Sequence, residues 1–224
     1  MRVNSFWGCA TGPARCEEAS MSSGSGIPIE LADGRTTPPR PVWALVERYI
    51  SPDVLASIET LWRPERDALI AAGESIENSH WDWRNKIWPV QNQQLTLVGV
   101  ECEGEWQGLM ALARSSRPAI LSPGSRVVYV DYLEVAPRNL RVGEQRPRFL
   151  GVGTALMAEA VLISQEQGLG GLVGLHSLGQ AERFYTDRCR MTRVGPDVEY
   201  YDLVYFEYPV GAAAEWLAAV RSGR

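Results

Sequence analysis

The segment with the most chemical potential is Arg148-Phe149-Leu150-Gly151-Val152-Gly153-Thr154, where two glycines stand at the start of an apolar helical periodicity. A residue without a Cβ lets an anion approach the backbone. The first N–H groups of a helix also lack intrahelical partners and carry the positive end of the macrodipole. That combination suits a pyrophosphate. No G-x-x-x-x-G-K-[ST] occurs, and no third glycine or second βαβ half completes a dinucleotide fingerprint, so NTPase and dehydrogenase readings fall away.

Two other groups of residues invite chemistry. Trp81, Trp83 and Trp88, with Asp82 among them, lie in a stretch too aromatic for a plain solvent loop. They read either as a buried bracket closing a sheet edge or as a pocket wall where aromatic faces hold an alkyl ammonium and Asp82 supplies charge. His176-Ser177 suggests a triad, but G-x-S-x-G is missing and a packed histidine is the reading taken. Cys9, Cys16, Cys102 and Cys189 form no CxxC pair and no histidine has zinc-ligand spacing, so reduced thiols and no metal are expected.

The elements that must position these residues follow from periodicity. Residues 42–50 read as a strand, and Ser51-Pro52-Asp53 is a helix start. Leu55, Ile58 and Trp62 line one helical face, and Pro64 predicts a break or kink before a second helix from Glu65 to about Ala72. Residues 94–101 and 106–113 form a hairpin around Gly104, and 127–135 form the next strand. Val152, Leu156, Ala160 and Ile163 mark a helix ending near Gly168. A strand at 172–178, a helix at 180–188, an antiparallel pair at 191–194 and 200–208, and a last helix at 212–221 complete the chain. The order predicts a mixed sheet flanked by helices.

Taken together, these residues resemble the GNAT acetyltransferase superfamily, whose acetyl-CoA motif is [QR]-x-x-G-x-[GA] after a strand ending in a valine and a nearby proline. Arg148-Phe149-Leu150-Gly151-Val152-Gly153 matches that motif fully. Val130-Asp131-Tyr132-Leu133-Glu134-Val135-Ala136-Pro137 is similar to the family's fourth strand, and Ala181-Glu182-Arg183-Phe184-Tyr185 to the A-x-x-[FL]-Y of a later helix. The resemblance spans residues 42–208. It implies an α/β (α+β) fold with a central, mostly antiparallel mixed sheet whose parallel fourth and fifth strands splay apart, flanked by helices.

It also implies a site. The backbone of Leu133 and Val135 would pair with the pantetheine amides, the amides of Arg148, Phe149, Leu150, Gly151, Val152, Gly153 and Thr154 would take the pyrophosphate, and an N–H near Val135 would polarise the thioester carbonyl. Tyr185 would be the general acid for the departing thiolate. A free alkyl amine has a pKa of about 10.4 and must lose a proton before it attacks, with Asp131 and Glu134 as the nearest candidate bases. Three apart on one strand, they are expected on opposite faces, so at most one meets the cleft, and Glu134 is preferred. The family's acceptor side places Trp81, Asp82 and Trp83 as candidate substrate contacts. Three departures stand out. Ten residues separate Pro137 from Arg148, predicting a longer loop beside the cofactor mouth; Leu178 stands where an asparagine is common; and Arg190-Met191 replaces a Gly-Phe.

The chain has 224 residues, 45% of them apolar, with 22 basic and 27 acidic side chains. Residues 1–40, rich in Gly, Ser and Pro, are expected to be a flexible leader, with Met21 as an alternative start and Ile27 to Leu31 as a short edge strand. Residues 41–210 form the expected catalytic domain and 211–224 a C-terminal helix. No signal peptide or apolar span is seen, so a cytoplasmic protein without membrane contact is expected. A net charge of −5 and a single lysine, Lys86, argue against a nucleic-acid partner. The expectation is an acetyl-CoA-dependent N-acetyltransferase without metal, acting on a small-molecule amine or on a protein lysine or N-terminus. The acidic balance favours a cationic acceptor such as a polyamine, and a homodimer stays open. The rival is a silent CoA-binding regulatory module of the same fold.

Overall fold

In the computed structural model, which describes residues 26–222, the chain runs β1 (Ile27–Asp33), β2 (Arg40–Arg48), α1 (Asp53–Ala71), α2 (Ile87–Gln91), β3 (Leu95–Cys102), β4 (Glu105–Ala113), β5 (Arg117–Pro118), β6 (Arg126–Val135), β7 (Phe149–Leu150), α3 (Val152–Glu166), β8 (Val173–Ser177), β9 (Thr192–Asp197), β10 (Leu203–Glu207) and α4 (Ala212–Arg221). One sheet orders them β7-β1-β2-β3-β4-β6-β8-β10-β9, with β5 beside β6. Among the described residues only β6 and β8 pair in parallel. This is the expected mixed, mostly antiparallel sheet.

The central strands are apolar on both faces because helices cover both. On β3 and β4, Val98, Val100, Met110 and Leu112 face Leu156, Met157 and Ala160 of α3. Their neighbours Leu97, Leu109 and Ala111 face Leu55, Ile58 and Trp62 of α1. The hairpin between these strands turns on Glu103 and Gly104, both at positive φ as a two-residue turn requires. α4 docks through buried Trp216, whose indole N–H donates to the Arg188 carbonyl at 2.8 Å. No helix among the described residues is long and apolar enough to cross a membrane.

Two expectations are corrected. Pro64 does not break α1, which runs through it as one helix. A proline removes one backbone hydrogen bond, but Trp62 and Arg66 on either side are both fully buried and hold the two halves on one face. The second correction concerns the leader: the short strand expected at Ile27 to Leu31 is present as β1, but it is not an edge, and the described part of the leader is not loose. β1 pairs with β2 along its length and with β7 at Ala32↔Leu150 and Asp33↔Phe149. The rest of the expected leader, with Cys9, Cys16 and Met21, lies outside the described residues.

Two features open the sheet. The parallel pairing of β6 and β8 covers only Val128↔Val173, Tyr129↔Gly174 and Val130↔Leu175. Just beyond it the β4–β6 register shifts, since Ala111 faces Tyr132 while Leu112 faces Val130, so Asp131 is an extra residue in a bulge. From there β6 follows β4 alone. The close seat of α3 on β4 depends on Gly108, where a Cβ would lie 2.6 Å from Val152 Cγ1 and 3.1 Å from Leu156 Cδ1. Gly108→Ala should overpack this contact and destabilise the fold by about 1–3 kcal/mol, seen as a lower midpoint in urea unfolding.

Candidate active site

The gap between β6 and β8 is a cavity of about 720 Å³. One wall is the free edge of β6. The Ala136 N–H donates to the Gln107 carbonyl of β4, so by strand alternation the peptide groups of Leu133 and Val135 point away from β4, into the gap. A second wall is the start of α3. Its N-cap is Gly151 at φ 93°, which has no side chain to cap with, and no acidic residue occupies the first turn. Ala155 is the first residue bonded back to the Gly151 carbonyl, which leaves the N–H groups of Val152, Gly153 and Thr154 without intrahelical partners at the cavity wall. Gly153 also admits Phe184, since a Cβ there would come within 3.0 Å of its ring.

Tyr185 sits on a π-helical turn, Phe184–Arg188, and lines the cavity from the far side. Buried Tyr205 and Tyr208 donate to Glu207 and to the Cys189 carbonyl, whereas the Tyr185 hydroxyl has no protein partner among the described residues. Burial pushes its phenol well above the ordinary tyrosine range, so it stays protonated.

The structure divides the expected site residues. Leu133, Val135, Glu134, Tyr185 and 149–154 share the cavity, and so does Trp81. Arg148 does not: its guanidinium pairs with Glu103 and Glu105 on the β3–β4 hairpin, each at 2.7 Å. Its amide donates to the Arg138 carbonyl and the Phe149 amide to Asn139 Oδ1, so neither can receive a phosphate. The N–H groups left without partners at the helix start therefore begin at Val152, later than the motif suggested.

The two carboxylates also part company, though not for the expected reason. The bulge at Asp131 resets the alternation, and both groups lie on the sheet face opposite α3. Asp131 pairs with Arg117 at 3.4 Å, outside the cavity wall. Glu134 is in the wall, buried, with Oε1 accepting from Arg66 at 3.0 Å and Asn78 at 2.9 Å and Oε2 from the Trp83 indole at 2.6 Å. Burial pushes its carboxyl above the usual range, and the Arg66 guanidinium and the Trp83 hydrogen bond pull it back.

Of the tryptophan segment, only Trp81 meets the cavity. Trp83 is core at 1% exposure. Asp82 caps the 3-10 turn of Trp83–Lys86 through the Arg84 N–H and pairs with Arg63 and Arg84, so no charge is left for a ligand. His176 is likewise packed, stacked on Tyr200 at 4.0 Å and held between Tyr129 and Asp197. Sequence reasoning missed Asn78 and Gln180, whose polar side chains carry no motif, and Arg188. Arg141 also lines the cavity, in the long link expected at its mouth. That link is closed by Gln145 Nε2, which donates to the Pro137 and Leu140 carbonyls.

Asp82 offers a test of the bracket role. The Arg84 hydrogen bonds, with Arg63 beside them, hold its carboxyl down to about 2, below the ordinary 3.8, so its stabilising effect is complete above pH 4 and lost as pH falls through 2. Asp82→Asn should destabilise the protein by about 1–2 kcal/mol at pH 7 after allowance for solvent screening. In denaturant titrations across pH, the gap to wild type should close between pH ~4 and ~2.

No protein-family model and no curated protein matches this sequence. Solved structures do match its fold. A GNAT-family acetyltransferase from Listeria monocytogenes 4b F2365 is similar with a TM-score of 0.50, at 14% identity, over 74% of this chain and 94% of that one. Mycobacterium smegmatis RimJ in complex with CoA-disulfide is similar with a TM-score of 0.50, at 14% identity, over 88% of this chain and 94% of its own. With its one parallel pair splayed around a cavity at the start of α3, this chain has the fold of the GNAT acetyltransferases.

Proposed function

We propose that the protein is an N-acetyltransferase that moves the acetyl group of acetyl-CoA to a primary amine by direct attack. The observation that carries this reading is convergence: an unpaired strand edge, three uncapped helix N–H groups and Tyr185, whose hydroxyl has no protein hydrogen bond among the described residues, line one cavity. A donor with an amide-bearing arm, a pyrophosphate and a thioester needs these three kinds of group. The likeness in fold to RimJ, a structure that holds CoA-disulfide, supports the same reading.

In this reading Leu133 and Val135 pair with the amides of the arm, and the N–H groups of Val152, Gly153 and Thr154 receive the pyrophosphate. Arg141 and Arg188 line the cavity and have no ion pair among the described residues, so they supply the cationic charge that Arg148 cannot. A backbone N–H near Val135 faces the carbonyl oxygen, where negative charge develops. The amine nitrogen bonds to the carbonyl carbon, the C–S bond breaks, and Tyr185 passes its proton to the leaving sulfur. Glu134 takes the proton from the amine, through water. A carboxylate has about four lone-pair directions, and three donors leave one of them open.

Two measurements test this. Acetyl-CoA should raise the melting temperature of wild type and of Tyr185→Phe alike, while thiol release with an amine acceptor falls by about 10²-fold or more in the variant. No thermal shift at saturating acetyl-CoA overturns the assignment. Glu134→Gln, which keeps an acceptor oxygen for Arg66, should lose the acidic limb of the kcat/KM profile, because a raised carboxyl pKa sets that limb in wild type. A limb that persists unchanged sends the proton elsewhere.

A further inference from the structure

We infer that the acceptor is a primary amine carried on an uncharged apolar or aromatic body, such as an arylalkylamine, and that polycations are poor substrates. This rests on the acetyltransferase reading above and specifies its acceptor. Beside Glu134 the cavity is lined by Ile76, Asn78, Trp81, Leu178 and Gln180, with Asn78 donating to Glu134 and Gln180 to Asn78.

A polycation needs several counter-charges, and here the carboxylates at and around the pocket, and the neighbouring tyrosine faces, are occupied by the protein's own cations. Glu59, Asp82 and Glu134 are matched by Arg63, Arg66 and Arg84. Asp131 is paired with Arg117. The Tyr132 ring has the Lys86 ammonium 3.4 Å from its centre, and the Tyr129 ring has the Arg117 guanidinium at 3.3 Å. The Tyr200 ring lies 5.3 Å from the same guanidinium and stacks on His176. Glu74 and Glu77, the acids in this stretch without an ion pair among the described residues, stand outside the cavity wall. Glu77 Oε2 accepts from the Gln180 amide. An extra ammonium entering the pocket would lose its water and find no counter-charge.

What remains open is apolar. Trp81 is held edge-on against Tyr132, with ring centres 5.1 Å apart and an interplanar angle of 83°, and Ile76 and Leu178 share its wall. Burying an aromatic body against these side chains is favourable without any charge on it. The acidic surface that pointed to a cationic acceptor therefore does not extend into the pocket.

The experiment is a kcat/KM comparison on wild type, by thiol release, of 2-phenylethylamine and hexylamine against spermidine and kanamycin, beside the acetyl-CoA thermal shift. The inference expects at least a tenfold preference for the uncharged-bodied amines. It also expects a KM for 2-phenylethylamine raised about tenfold in Trp81→Ala with the acetyl-CoA shift kept, and spermidine rates unchanged in Glu74→Gln/Glu77→Gln. A preference for spermidine or kanamycin, lost in the double variant, overturns the inference and leaves the donor reading intact. So does an acetyl-CoA shift with no turnover of either uncharged amine. Absence of the shift itself removes the donor reading and the inference together. Because the wild-type ratio is itself a readout, a Trp81→Ala protein that fails to fold does not blunt the test.

Discussion

The structure depends on a parallel pairing that stops early. After Val130↔Leu175 the strands β6 and β8 separate, and the Asp131 bulge turns the rest of β6 away. Buried backbone groups need partners, so an unpaired strand edge inside a fold is costly unless something else completes it. Here the edge faces a cavity instead of protein. The open pairing, the start of α3 and the turn carrying Tyr185 thereby become three walls of one space.

A second constraint keeps those walls in place. Arg66 of α1, 1% exposed, bridges Glu59 of its own helix and Glu134 of β6. Glu59 also accepts from the Trp83 amide at 3.0 Å, and Glu134 from the Trp83 indole, so the same cluster fixes the segment that contributes Asn78 and Trp81. Removing one partner from a buried pair of this kind costs about 3–5 kcal/mol, because the other charge stays buried without compensation. The cluster explains why α1 tolerates Pro64, and it leaves Glu134 facing the cavity with little freedom to move.

Residues before α3 are held from a distance as well. The Gly34 amide donates to the Arg148 carbonyl at 2.9 Å, β1 pairs with β7, and the Arg148 side chain is fixed by the hairpin acids. A residue at a motif position here braces the loop, and cations from the long link and the π-helical turn face the cavity in its place. Arg190 stands at φ 56°, in the left-handed region that favours glycine, and the following Met191 is buried in the core.

Local periodicity and turn chemistry were sufficient, in the sequence, to place the hairpin at Gly104, strand β6, helix α3, helix α4 and the glycine turn at Gly151. Each of these is decided by residues a few positions apart. Motif order pointed to the fold and to Tyr185. Several things were settled only by contacts between distant segments: the pairing of Ile27–Asp33 with Phe149–Leu150, the continuity of α1 through Pro64, the capture of Arg148 by Glu103 and Glu105, and the bulge that puts Asp131 and Glu134 on one face. The physical reason is range. A helix start or a tight turn is stabilised by its own neighbours in the chain, whereas the charge state and direction of a buried side chain depend on which partners the tertiary fold brings to it, and spacing along the sequence does not encode that.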